Sequence, residues 1–282
     1  MSDDSASSSE IDSSDNEEQQ QLRPGKKART QEASPSTTTN SRLTSAPLQV
    51  TETDSAAAKA ASSKQPIIIL LDQATLETVK NKRGVYELLN CDDHRDLCKR
   101  KLRKDPNLYR PDILHQEMLA LLDSPLNKAG LLRIYIQTQQ NVLIEVNPSI
   151  RIPRTYKRFA GLMVQLLHKM KIKAGTESTT LLKIIKNPFS QYLPAGTLCC
   201  GMSSQGVLYS PLKLAQSVVA AATPEELKAP VCFIVGAMSV GHVTIEDHPY
   251  MEQMFSISSY PLSGAAALSR ICSGIEHHWS IV

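Results

Sequence analysis

Two short runs of almost purely apolar residues constrain this chain most. Pro66–Leu71 carries five consecutive Ile and Leu residues, and Val231–Val235 is Val, Cys, Phe, Ile, Val before a glycine. Each is too short for a core helix and has no polar side chain to turn toward water. Such runs are expected from strands buried on both faces, in a sheet covered by other layers.

The intervening sequence supplies those layers. The spacing predicts helices over Leu76–Leu89, Ile113–Leu122, Arg154–Ile172, Pro211–Ala222 and Ser263–Trp279. Leu131–Thr138 alternates apolar and polar residues, and the link Gln139–Asn141 joins it as a hairpin to a strand at Val142–Val146. Leu181–Lys186 and Phe255–Ile257 complete the strands, Asn187 and Pro188 ending the first of them. Pro224–Glu226 opens a turn, and the charged stretch Asp92–Lys104 reads as a solvated helix face. Strands alternating with helices argue an α/β fold with a mostly parallel sheet flanked by helices. No internal repeat is present.

Composition sets a domain boundary. Residues 1–64 hold ten acids and seven Lys or Arg, with seven of those acids before Gln20. The stretch is rich in Ser and Thr and poor in apolar residues, so it cannot bury enough surface to offset its ordering entropy. We expect a disordered tail over 1–64 and one folded domain over 65–282. The domain retains 24 basic against 18 acidic residues, a net of +6 that the whole-chain value of +3 conceals. Arg23–Arg29 is compatible with a nuclear import signal or an ordinary basic run. No apolar stretch reaches the ~18–20 residues needed to span a bilayer, and the N-terminus has no secretory pattern. The six cysteines contain no CxxC, which suits a reduced, intracellular protein; Cys232 reads as a small buried apolar residue.

Four segments carry possible chemistry. Gly236 and Gly241 bracket a loop leaving the Val231–Val235 strand; it is either a tight turn or a ligand cradle, and His242 in place of Lys excludes a phosphate loop. Ser256–Ser263 is a polar loop whose last serine caps the final helix and whose backbone suits adenine or ribose. Arg151, Arg154, Lys157 and Arg158 crowd a helix start, where the dipole disfavours cations; an RNA backbone or simple solvation explains them. Arg154 and Arg158 are four apart and predict one helical face, opposite the Leu162 and Leu166 stripe. In Tyr109–Asp112, Asp112 either caps a helix beginning at Ile113 or holds Arg110 through a charge-assisted pair. No HExxH, Cys/His zinc pattern or GxSxG is present, so no motif supports a metal site or a hydrolase.

Taken together with Tyr86–Asp92, Arg110–Ile113, Leu122–Gly130, Ile144–Pro148, Arg151–Arg154, Gly161–Lys169, Ile185–Pro188 and Tyr260–Ser263, these segments resemble one family. It is the N1-specific pseudouridine methyltransferases of small-subunit ribosomal RNA, a eukaryotic ribosome-biogenesis family of the SPOUT superfamily. The resemblance runs from about Ile67 to Val282. It implies a trefoil-knotted α/β domain, S-adenosylmethionine as cofactor, a homodimer, small-subunit rRNA and pre-ribosomal assembly factors as partners, and a nuclear, nucleolar location. By family position the cofactor residues are Met202, Gly236, Gly241, Ser256, Ile257, Ser258, Ser259, Tyr260, Pro261 and Leu262. Arg110, Arg151, Arg154 and Arg158 are the implied RNA contacts. Arg110 and Asp112 are the implied catalytic pair, Asp112 steadying Arg110. Ser259 stands where the family usually has Asn, and Met202–Gly206 departs from the family's strand. A non-catalytic, RNA-binding assembly factor is the alternative within this resemblance.

Overall fold

The computed structural model describes residues 64–175, 178–219 and 230–282. The expected tail through Ser63, with its basic run, lies outside the described residues, as does the turn at Pro224–Glu226. Lys64, assigned to the tail from sequence, is tied to the end of the chain: its Nζ donates to the Trp279 carbonyl at 2.9 Å and lies over the Trp279 ring.

Among the described residues ten strands form two sheets. They are β1 (Ile67–Ala74), β2 (Thr78–Lys80), β3 (Tyr86–Leu88), β4 (Leu132–Thr138), β5 (Leu143–Val146), β6 (Lys171–Lys173), β7 (Thr180–Ile185), β8 (Leu198–Leu208), β9 (Val231–Gly236) and β10 (Gln253–Ser256). The main sheet has the order β10-β8-β9-β1-β4-β5-β7-β6. From β10 through β4 the neighbours are parallel, and β5, β7 and β6 extend the sheet antiparallel. β1 is central, paired with β9 through Ile68 and Cys232 and with β4 through Ile69 and Ile134. Ile67 to Leu71 are each at most 2% exposed, as the apolar run demands.

Among the described residues six α-helices accompany the sheets: α1 (Arg95–Leu97), α2 (Pro111–Asp123), α3 (Pro125–Lys128), α4 (Tyr156–Lys169), α5 (Pro211–Leu214) and α6 (Gly264–Trp279). One face of the sheet packs on α2, α4 and α6 through Leu114, Met118, Phe159, Met163, Leu268 and Ile271. The other face buries Leu70, Tyr135, Cys232 and Ile234 beneath Phe189, Val243 and Met251. Cys232 is fully buried, and all six cysteines are free thiols. Gly274 of α6 allows close packing on α5, since a Cβ there would lie 2.5 Å from the Pro211 carbonyl oxygen.

Several elements differ from the sequence expectation. Leu76–Leu89 is not a helix but the β2–β3 hairpin. Asn81 drives the turn, its Oδ1 accepting from the Arg83 and Val85 amides while Gly84 takes φ +81°. A left-handed glycine and an Asx turn interrupt the helical spacing there. The 92–104 stretch is one turn of α1 and a π turn at Cys98–Leu102, its basic side chains exposed. Helix α4 begins at Tyr156, two residues later than expected, and stops at Met170 with φ +63°, so Ile172 belongs to β6. The Pro211–Ala222 helix is α5 continued by a π turn over Ala215–Val219, its remainder outside the described residues. β10 ends at Ser256, one residue before Ile257. β8, eleven residues long, has no counterpart among the strands read along the sequence.

Candidate active site and nucleic-acid interface

The carboxyl ends of parallel strands are where α/β sheets bind ligands, because the loops there diverge and leave a crevice. Here β9 ends at Gly236 and β10 at Ser256, and their following loops wall a cavity of about 470 Å³. β8 contributes Met202, Ser203 and Ser204 to it; α2 contributes Ile113 and Gln116; the start of α6 contributes Gly264, Ala265 and Ala267. Nine of the ten cofactor residues inferred from sequence line this one cavity: Met202, Gly236, Gly241, Ser256, Ile257, Ser258, Tyr260, Pro261 and Leu262. Ser259 does not. A groove of similar size on β4, β5 and β7 mixes Arg133 and Lys183 with Glu145, and no loop from a parallel strand end reaches it.

Local hydrogen bonding fixes both loops. Ser256 Oγ donates to the Ser258 carbonyl at 2.9 Å, and the Tyr260 amide donates to Ser258 Oγ at 3.0 Å. The Tyr209 amide donates to the Ser256 carbonyl at 2.7 Å, which joins the loop to the end of β8. Ser263 caps α6 by accepting from the Ala266 amide, as expected. In the other loop Gly241 takes φ +107°, a conformation other residues rarely adopt. The Ala237 amide donates to the Asp72 carbonyl at 2.7 Å, at the end of β1. Asp72 Oδ2 also lies 2.8 Å from His248 Nε2, and His248 Nδ1 lies 2.8 Å from the Tyr250 hydroxyl. This buried Asp72–His248–Tyr250 chain pins the far end of the loop to β1. Nothing in the sequence spacing pairs residues 176 positions apart, so motif reasoning does not reach it.

Arg110 lies on the cavity wall and is shared with a second, polar pocket lined by Cys91, Asp92, Arg95, Asn107 and Asp112. The two pockets are also stitched together where Ser239 Oγ donates to the Asn107 carbonyl at 2.6 Å. The Arg110 amide donates to Thr75 Oγ1. Its guanidinium grips Asp112 through two bonds, Nε to Oδ1 at 2.8 Å and Nη2 to Oδ2 at 2.7 Å. That fork–fork pair fixes a plane as well as a charge. The hydrogen bonds to Asp112 push the guanidinium's proton affinity still higher than usual. The capping alternative for Asp112 is overturned. Helix α2 starts at Pro111, its N-cap is Arg110, no side chain caps it, and Asp112 stands inside the first turn.

The other arginines are not gathered at this pocket. Arg151, Arg154 and Arg158 are exposed, and Arg154 pairs with Asp123 at the opposite end of α2. Asp123 lies eleven positions along the helix from Asp112, roughly 16 Å at ~1.5 Å per residue. Because α4 starts at Tyr156, Arg154 precedes the helix and does not share a helical face with Arg158. The segment is nonetheless held against α2: His115 Nε2 lies 2.7 Å from the Pro153 carbonyl, and its ring stacks on Phe159 at 4.5 Å. Arg110 and Arg154 thus stand at opposite ends of α2 instead of converging on one point. Among the described residues no group of three or more His, Cys, Asp or Glu is placed to hold a metal, and no helix is long and apolar enough to cross a membrane.

The fold and site define an α/β protein with a ligand cleft at parallel strand ends and a clamped arginine at its mouth. Residues 69–276 match the sequence model of the EMG1/NEP1 methyltransferases. The chain is 47% identical over 223 residues to a Drosophila melanogaster protein described as ribosomal RNA small subunit methyltransferase NEP1, covering 78% of this chain and 85% of that one. A Homo sapiens protein of the same description is 46% identical over 216 residues, covering 77% and 83%. The crystal structure of Archaeoglobus fulgidus Nep1 bound to S-adenosylhomocysteine shares the fold, with a TM-score of 0.61 and 24% identity over 76% of this chain and 98% of that one. The chain belongs to the EMG1/NEP1 methyltransferase family. The expected α/β architecture, a mostly parallel sheet flanked by helices, is the observed one, and the Archaeoglobus fulgidus structure shares it.

Proposed function

We propose that this protein is an S-adenosylmethionine-dependent methyltransferase of small-subunit ribosomal RNA, that it methylates N1 of a pseudouridine, and that it does so as a homodimer. Its place is the nucleus and nucleolus, alongside pre-ribosomal assembly factors, with the superfamily's trefoil knot around the cofactor. One observation carries the reading: Arg110, clamped by Asp112, stands on the wall shared by the cavity and the adjoining polar pocket. Transfer between two bound molecules requires donor and acceptor to be held in aligned contact, and a fixed group where the two pockets meet can orient one against the other.

The residues present suit the cofactor. The cavity lies within the ~300–1,000 Å³ usual for such sites, and the Gly236–Gly241 and Ser256–Leu262 loops present backbone groups that their own hydrogen bonds hold in place. S-adenosylmethionine supplies an activated methyl on sulfonium, so the reaction asks the protein for alignment and loss of the N1 proton. In this reading the target base is unstacked into the pocket beside Arg110. The guanidinium plane orients the nucleotide. Asp112, with both oxygens occupied by Arg110, positions that plane and leaves the N1 proton to another acceptor. Arg151, Arg154 and Arg158 hold phosphates along α2. Exposed Val207, Leu208 and Tyr260, close to the ends of β8 and β10, suit burial against a second copy.

The test is transfer of labelled methyl from S-adenosylmethionine to a pseudouridine-containing RNA hairpin, beside the same hairpin with uridine. Label appearing only in the first is the expected result. Tight RNA binding with no transfer would instead make the protein a non-catalytic assembly factor.

A further inference from the structure

Glu117 is the most anomalous side chain among the described residues. It projects from the middle of α2, is 0% exposed, and neither carboxyl oxygen has a hydrogen-bond partner. Its carboxyl fills the space left open at Gly264, the first residue of α6. A Cβ on Gly264 would lie 1.9 Å from Glu117 Oε1 and 3.0 Å from its Cδ. Gly264 follows the Ser256–Ser263 loop directly and lines the cavity, as do Ile113 and Gln116 on the α2 turn that precedes and adjoins Glu117. A missing side chain on one helix and a buried acid on the other therefore form a matched pair behind the cavity wall.

We propose that Glu117 is a positioning residue for cofactor binding: its carboxyl, as the neutral acid, occupies the gap at Gly264 and sets the start of α6 against α2, so that cofactor affinity follows the protonation of this one buried group. The inference rests on the assignment of the cavity to S-adenosylmethionine. An ionised carboxylate cannot stay in a dry interface without a partner. It would have to draw in water or move toward the amide groups at the start of α6, and either displaces Ser263–Ala265, which wall the cavity. The titratable groups on the packed elements are Arg270, Cys272, Glu276, His277 and His278 of α6, Tyr156, Lys157, Arg158, His168 and Lys169 of α4, Lys128 of α3, Asp72 of β1, and Asp112, His115 and Asp123 of α2 itself. None hydrogen-bonds Glu117, and burial alone raises its carboxyl, to about 9. The group is thus neutral at physiological pH and ionises in an accessible alkaline range.

The experiment measures S-adenosylmethionine dissociation constants by calorimetry from pH 7 to 10.5 on the full chain and three variants. Wild type should weaken relative to Glu117→Gln by about tenfold per pH unit once the carboxyl titrates. Dividing one profile by the other removes the titration of the ligand and of other residues. Gly264→Ala should weaken binding by roughly tenfold or more at pH 7.5, and Glu117→Ala combined with Gly264→Ala should recover most of that loss, the non-additivity expected of groups in contact. Should Glu117→Gln not fold, Glu117→Met carries the same comparison. Superimposable pH profiles, or a Gly264→Ala protein with full affinity, overturn the proposal and leave the cavity assignment standing. A folded wild type that binds no cofactor at pH 7.5 overturns both.

Discussion

At the scale of single residues, the Arg110–Asp112 pair is where geometry bears most on chemistry. Two parallel hydrogen bonds hold a planar group that a lysine cannot imitate. Arg110→Lys should therefore lose methyl transfer by about 100-fold or more, and Asp112→Asn by roughly tenfold to 100-fold, the range expected from ~1.5–3 kcal/mol for a charge-assisted bond. Calorimetry should find cofactor affinity nearly unchanged in Asp112→Asn, because Asp112 does not line the cavity. Glu117 adds a stability effect. Burial pushes its carboxyl up from the ordinary 4.5 to about 9 in the folded protein. Across that window the folded state keeps a proton that the unfolded chain gives up, so stability falls as pH rises, by at most about 1.4 kcal/mol per unit. Glu117→Met should lose this slope, and urea titrations of both proteins at pH 5 to 8 will read the difference. The sequence leaves two roles open for Asp112, cap or arginine partner, because both need an acid at a helix start; only the folded chain, with Pro111 already helical, decides between them. Glu117 offers no signal at all, since in sequence it is one polar residue in an amphipathic helix.

Among elements, α2 organises the site more than any other. It carries Arg110 and Asp112 at one end and meets Arg154 through Asp123 at the other, with His115 fastening the Arg151–Thr155 segment between. The Arg154–Asp123 pair is solvent-exposed and worth little to stability, so its arginine is available to a phosphate. Replacing Arg154 and Arg158 with Ala should reduce the slope of log affinity for a single-stranded RNA against log salt by about 1.4, at ~0.7 per phosphate contact. Thermal unfolding should move little. An unchanged slope, measured by fluorescence anisotropy at several salt concentrations, removes both residues from the interface. Strong amphipathic periodicity makes α2, α4 and α6 legible from the sequence. The β2–β3 hairpin imitates a helix there because Leu76 and Val79 stand three apart and Val85, Leu88 and Leu89 three and four apart, spacings a helix also allows, and they outweigh the turn signal of Asn81 and Gly84. β8 is hidden for a different reason. Gly201, Ser203, Ser204 and Gly206 weaken its strand character, yet Gly206 is needed where β8 passes β10, a Cβ there falling 2.6 Å from the Phe255 backbone.

For the molecule as a whole, the decisive fact is spatial order. Met202, Gly236 and Ser256 line one cavity because β8 lies between β10 and β9, an arrangement that chain order does not announce. The α/β class can be read from two apolar runs; the neighbours of each strand cannot, since an apolar run records burial on both faces and not which strand pairs with it. The family resemblance supplies the missing step by grouping those residues from family position. The same order governs how the chain is made. β1 emerges early and soon finds β4, but its other edge is completed only by β9, with Ile68 opposite Cys232. During synthesis at about 5–20 residues per second, that edge waits roughly 8 to 30 seconds for its partner. A strand of five Ile and Leu residues with one open edge is a template for pairing with other nascent chains. A chaperone bound over the first half of the domain until β9 leaves the ribosome is what such a topology calls for.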